Sequence, residues 1–508
     1  EPGLFFAQGK WRNSCDWVRA NNQTMTMLYK TYPIIRRVAG FGLLGPGLSC
    51  LPAVAQERPL ELSLEQSLKM LHEGNRSLQI AGKEVEMAES EHRRTSSFWY
   101  PMLNVTGAYV HMSNPVEVKQ PLNQFTDPAK DFIHSVLPDD QLISSILDKI
   151  GSYSLRFPLA PQNVSTIDAN LTWPIFAGGK RIYAGRITRS MVSIAEENRG
   201  QVDATVQAML VESYFAVRLG QRVVDVREQT LRSLEKHYQN ALKLEANGMI
   251  DKAERLFVQV NMDEARRELE SARSDLGQSA LKAIIRVDSA EIHPVSPLFI
   301  NDTLPPVAYF KGEVGDNNYV VNQLKLQDDI ADNQLRIGRA GYVPTIALMG
   351  KQTLYSNGIQ IPRTFVGVGF TWNLFDGLDR EQKIRQAKIT KQTVGITRDK
   401  AIDDISVGID KFYSQMQNAL SSVNALNTTI ELSRELVRMR KKAFTEGMAT
   451  STEVVDAEVM LSKVEIASLL AFYQYDVALI NLLSACGIPD TFRNYSETGR
   501  SEHFVFAP

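Results

Sequence analysis

Three cysteines in 508 residues leave little scope for disulfides. Cys15 and Cys50 fall in a predicted leader, so the remaining chain keeps Cys486 alone. One cysteine forms no internal bridge, and an exported chain this long without bridges depends on burial and association. Cys486 follows Leu482-Leu483-Ser484-Ala485 at a predicted helix end, where it reads as a small core residue. Downstream of residue 56 there is no run of 18 or more apolar residues, so no transmembrane helix is expected. Neither charge dominates, with 56 Lys and Arg against 58 Asp and Glu. That balance gives no reason to expect a nucleic-acid partner. No P-loop, GxSxG elbow or HExxH is present. His72, His92 and His237 have charged neighbours on helical faces and read as solvated. No enzyme, cofactor or metal site is expected.

Proline is missing where it matters most. None occurs from Gly179 to Asn247 or from Leu378 to Glu446. A helix rises 1.5 Å per residue, so each stretch predicts a rod of roughly 100 Å. Rods this long must pack on each other or on other subunits.

What is present is a repeat. Trp173-Pro174-Ile175-Phe176-Ala177-Gly178 returns as Trp372-Asn373-Leu374-Phe375-Asp376-Gly377, 199 positions on. The same offset carries Gly248-Met249 onto Gly447-Met448. It also carries Leu210, Val217, Val224, Leu231 and Tyr238 onto Ile409, Met416, Val423, Ile430 and Val437. These heptad rows suit knobs-into-holes packing.

The chain divides accordingly. Residues 1–26 read as an upstream extension and 27–55 as a signal peptide. Lys30, Arg36 and Arg37 precede the apolar stretch Val38 to Leu51, and Ala53-Val54-Ala55 fits the cleavage rule. The first repeat spans 56–287, a connector 288–320, the second repeat 321–487, and a polar tail 488–508. Ser63 and Gln66 form a capping-box pattern at the first helix. In each repeat the period switches from helical to two. Strands are predicted at about 102–111 and 166–176, then at about 344–355 and 364–375. Ile167, Ala169, Leu171 and Trp173 alternate with Asp168, Asn170 and Thr172. Val366, Val368, Phe370 and Trp372 alternate with Gly367, Gly369 and Thr371. Such alternation with terminal aromatics suits an outer-membrane barrel, and it suits a soluble amphipathic sheet as well. The first strand pair encloses an insertion at about 113–166, read as a surface loop with a short helix near Asp139–Ile150. Gly turns at 245–250 and 445–450 end the rods, and return helices follow over about Asp251–Arg286 and Thr450–Ala485.

This order of helix, strand, strand, rod, Gly turn and return helix, twice over, resembles the TolC family of outer-membrane efflux proteins. The motifs that carry the resemblance are the two Trp-to-Gly segments and Glu446-Gly447-Met448-Ala449-Thr450-Ser451-Thr452-Glu453-Val454-Val455-Asp456-Ala457. It covers about residues 60–490. The resemblance implies a mainly α fold with a transmembrane β portion. Four strands per chain would join one 12-stranded barrel in a homotrimer, above a long periplasmic α-barrel. It implies a passive channel in the outer membrane of a Gram-negative bacterium. The partners would be a periplasmic adaptor, an inner-membrane pump of RND, ABC or MFS type, and outer-membrane lipid. The alternative is a secreted coiled-coil adaptor without a pore.

The resemblance also assigns roles. Glu453 and Asp456 match the acids of a periplasmic constriction. Phe444 and Ala449 stand where a latch tyrosine and arginine would be, and Glu254 matches their acceptor. Closure is therefore expected to rest on packing of Phe444 and Met448. Gly248, Met249, Gly447 and Met448 are the expected adaptor-contact tips. Trp173, Phe176, Trp372 and Phe375 are the expected barrel-interface aromatics.

Overall fold

The computed structural model describes residues 59–136, 141–287, 291–357 and 362–502. The extension, the signal peptide, Cys15 and Cys50 lie outside the described residues. Two helices dominate. They span Lys180–Ala246 and Asp379–Thr445, 67 residues each, and start and stop at equivalent positions of the repeat. Absence of proline allows the length; burial of the heptad row supplies the stability. Leu210, Val217 and Leu231 in the first rod are buried, as are Ile409, Met416, Val423 and Ile430 in the second.

The rods end alike. Met249 N donates to Leu244 O at 2.9 Å and Gly248 N to Glu245 O at 2.9 Å. In the second copy Met448 N donates to Ala443 O at 2.8 Å and Gly447 N to Phe444 O at 3.1 Å. This paired closure needs a left-handed residue, and Gly248 and Gly447 adopt φ of 68° and 74°. The return helices are capped at once. Asp251 accepts from Glu254 N at 2.8 Å. Thr450 and Glu453 form a reciprocal capping box.

The return helices then differ. The second is continuous over Ser451–Cys486. The first stops at Ser274 and resumes as Ser279–Ile285, which departs from the single helix expected over Asp251–Arg286. Gly277 N turns back onto Asp275 O at 2.7 Å in the gap. Gln278 then accepts from Ile292 N at 2.8 Å, holding the strand Ile292–Pro294 parallel to Leu60–Leu62. By length and composition Ser451–Cys486 would cross a membrane, but 61% of its most apolar window is buried among other helices.

Four strands form one antiparallel sheet, in the order Met102–His111, Asn163–Phe176, Thr345–Asn357, Thr364–Thr371. The two copies join through the central pair. The insertion is more ordered than a loop. It contains a strand pair, Val116–Pro121 with Ser154–Ala160, and helices Asn123–Val136 and Gln141–Gly151.

The helices lie in a layer. Beside the sheet the order is Arg76–Ser96, first rod, Tyr319–Arg339, second rod. Toward the Gly turns it is first return helix, first rod, second return helix, second rod. Midway sits an aromatic core of Tyr214, Phe215, Phe299, Tyr475 and Phe492. Burying each such ring is worth roughly 1.5–3 kcal/mol. The C-terminal tail, expected to be merely polar, is built into this core. Arg500–Ser501 pairs with Phe299–Ile300, and the fully buried Glu502 binds Arg218 at 2.6 Å and Arg222 at 3.2 Å. Beside it, burial pushes the Asp476 carboxyl well above its usual range, against one bond from Phe299 N. Cys486 is a core residue, with burial raising its thiol to about 12.

Candidate functional site

Two regions carry residues that packing alone does not explain: the sheet with its corners, and the Gly-turn tips. The strand register sorts side chains to two faces. One face is polar. Asp168 accepts from Thr353 at 2.7 Å and pairs with Lys351 at 2.9 Å, while Asn170 donates to Thr106 at 2.9 Å. The other face exposes Leu103, Val105, Val366, Val368 and Phe370.

Each strand turns into its rod through the same corner. Trp173 Nε1 donates to Trp99 O, and Trp372 Nε1 donates to Tyr342 O, both at 3.1 Å. Arg181 lies 5.4 Å from the centre of the Trp99 ring, and Arg380 lies 4.0 Å from that of Tyr342. Arg380 also donates to Gly341 O at 3.1 Å and Asn373 O at 3.0 Å. Phe176 and Phe375 are exposed beside these corners.

At the tips, Met249 and Met448 are exposed beside Gly248 and Gly447. Phe444 is 3% exposed and meets the ring of His237 edge-on at 4.6 Å. His237, read from sequence as solvated, is therefore buried; a contact two helices away cannot be seen in its local neighbours. His72 is exposed and bonds Asp203, and half-buried His92 bonds Thr188. Glu254 accepts from Ser451 at 3.3 Å, tying the first return helix to the second. Glu453 is engaged twice, by Arg440 at 3.0 Å and by Thr450 N at 3.0 Å. Asp456, one turn on, is exposed.

The family model described as outer membrane efflux protein matches residues 68–284 and 313–488. The chain belongs to this family. Among relatives of the efflux-protein chain is the alkaline protease secretion protein AprF of Pseudomonas aeruginosa. It is 21% identical over 296 residues, covering 55% of this chain and 61% of AprF. The outer membrane protein TolC of Escherichia coli (strain K12) is 23% identical over 207 residues, covering 37% of this chain and 42% of TolC. The chain thus spans less than two thirds of each of these relatives. Solved structures of CusC and OprN share the fold, each at 15% identity and 84% coverage of this chain. They cover 92% and 90% of those chains, with TM-scores of 0.65 and 0.64. The family is described by efflux, and AprF by secretion. No group of His, Cys, Asp or Glu that would hold a metal occurs among the described residues.

Sequence reasoning missed the polar network behind the tips of this efflux protein: Ser233 of the first rod meets Lys441 and Glu458 of the second hairpin, while Arg434 with Glu465 and Arg440 with Glu453 tie that hairpin's own two helices together. One signal was available. Glu458 and Glu465 are charges seven apart on a helix rich in apolar residues, and both are buried.

Proposed function

We propose that three copies of the chain close into a passive outer-membrane channel. The observation that carries this reading is that both layers stop at unpaired edges. In the sheet, Met102–His111 and Thr364–Thr371 are edge strands. An open edge in lipid leaves backbone groups unsatisfied, so four strands need further copies to close. In the upper helix layer the two outermost helices expose apolar residues seven apart, Ile80 and Met87 on one and Ile389 and Ile396 on the other. Near the tips the outermost helices likewise expose apolar residues on one face, Leu256 and Val260 four apart and Leu432 and Met439 seven apart. Joining unlike edges around a threefold axis buries both stripes and pairs both strands.

In this arrangement the apolar sheet face meets lipid, Trp173 and Trp372 mark its margin, and the Asp168 face lines the water. The tips with Met249 and Met448 point into the periplasm toward an adaptor and an energised inner-membrane pump of RND, ABC or MFS type. The chain carries efflux or type I secretion substrates without consuming energy. Asp456 recurs three times around the axis and forms an acidic ring at the constriction. Glu453 adds less to that ring, because Arg440 already neutralises it.

Light scattering on protein extracted from outer membranes tests the trimer, and planar bilayers test the pore. A three-chain mass with cation-preferring conductance is expected, and Glu453→Ala with Asp456→Ala lowers the preference. A water-soluble, elongated protein without conductance would instead establish the secreted coiled-coil alternative.

A further inference from the structure

The seam between the two hairpins of one chain changes character along its length. Around the aromatic core it is apolar, with Leu469, Phe472 and Leu479 of the second return helix fully buried. Toward the tips the same helix buries Ser451, Glu458, Ser462 and Glu465 alongside Val454 and Val455. Each has a partner or a charged neighbour across the helices. Glu458 pairs with Lys441 and accepts from Ser233, and Lys441 also donates to Ser233 at 2.7 Å. Arg227 reaches Glu268 at 2.6 Å and Ser462 at 3.5 Å. Arg434 pairs with Glu465 at 3.1 Å inside the second hairpin, so that pair, like Lys441 with Glu458 in the same hairpin and Arg227 with Glu268 in the first, survives parting of the two. The polar members of this stretch can be rehydrated on parting, which offsets part of the cost of separating its apolar ones.

His237 sits in this seam and breaks its pattern. It is 4% exposed, lies against Phe444, and its Nε2 has no hydrogen-bond partner among the described residues. We propose that His237 is a proton-sensitive wedge: neutral, it lets the two hairpins stay packed at the tip; protonated, it drives them apart and opens the channel. The proposal rests on the channel reading above.

The groups facing His237 set the sign. Lys441 and Phe444 face it from the second rod, and Ser451 and Glu458 from the second return helix. Glu254 of the first return helix acts through Ser451, and Ser233 lies one turn away on the same rod. Burial holds the imidazole below its ordinary value, chiefly by desolvation. Glu458 pushes back, Lys441 pushes down to a smaller extent, and the Ser451 backbone bond raises it least. The packed state therefore favours neutral His237, and a parted, hydrated state favours the charged form. Packing is fully favoured above the ordinary His pKa of about 6.5. As pH falls below that value, parting gains at most about tenfold per unit per subunit, until the depressed folded pKa is passed.

The test is open probability of the trimer in planar bilayers at pH 7.5 and pH 5.5 at fixed salt. The native channel should open at least about threefold more often at the lower pH. His237→Phe, which keeps the ring packing, should abolish that response. His237→Gln should do the same, and covers the case in which the Phe variant fails to assemble. A native channel indifferent to pH would overturn the proposal, as would a full response surviving in both variants. A trimer that never conducts at either pH would overturn the channel reading itself.

Discussion

The two copies share their rods and their corners but not the insides of their tips. Both Gly turns close with the same pair of backbone bonds, and both return helices are capped by an oxygen side chain three residues before a glutamate. Within that common backbone the first tip holds a salt bridge, Arg255 to Glu245 at 2.6 Å. The equivalent positions in the second tip are Val454 and Phe444, and both are buried. The neighbours explain the change. The first return helix lies at an edge of the layer, where charges reach water. The second lies between the two rods and must present apolar atoms to both. Caps fix the backbone, and position in the layer then selects the chemistry.

The sharpest way to break this comparison is to empty the second tip. Phe444→Ala removes a buried ring and should cost about 3 kcal/mol of local stability. Amide exchange around residues 440–456 should then speed up by roughly a hundredfold. Glu245→Ala at the equivalent position should change exchange at the first tip by less than about tenfold. Equal effects would mean that the two tips are held by the same forces.

The corners offer a smaller contrast. Arg380 stacks closely on Tyr342 and donates to two carbonyls, whereas Arg181 stacks more loosely on Trp99. Arg380→Ala should therefore lower stability by about 2 kcal/mol, through lost charge-assisted bonds to two carbonyls and lost ring stacking. Arg181→Ala should cost visibly less. Thermal melting of the detergent-solubilised protein reads both, and a reversed order would show that carbonyl bonding does not set the corner's strength.

How much of this was legible in sequence follows from the range of each interaction. The rods, their equal lengths and the Gly turns came from local signals: missing proline, heptads and a glycine at positive φ. Strand alternation was local as well. The break at Gly277 was not, because one glycine does not end a helix unless something such as Ile292 claims the freed side chains. The tail was misjudged because Glu502 has no apolar signature; its burial depends on Arg218 and Arg222 on the first rod, nearly 300 positions away in sequence. The tip network was missed for the same reason, since Ser233, Lys441 and Glu458 meet only when both hairpins are assembled. Glu453 looked like a free acid because Arg440 lies across the turn.

The finest difference between the copies is one residue at the start of each rod. Gly179 and Leu378 are equivalent, and both are left-handed, with φ of 82° and 70°. Glycine takes this conformation freely, while an L side chain there costs roughly 1–2 kcal/mol. Leu378 is exposed, so its side chain recovers little of that by packing within the chain. Leu378→Gly should relieve the strain and return part of the gain as backbone entropy, for a net stabilisation of about 0.5 kcal/mol. Gly179→Leu should act in the opposite sense and more strongly. It adds the same strain, and a side-chain carbon there would lie 3.2 Å from the Tyr183 ring. Melting temperatures of the two variants should therefore move in opposite directions. If Leu378→Gly is instead destabilising, the exposed leucine has an apolar partner outside its own chain, in lipid or in a neighbouring subunit, and that contact outweighs the strain it imposes.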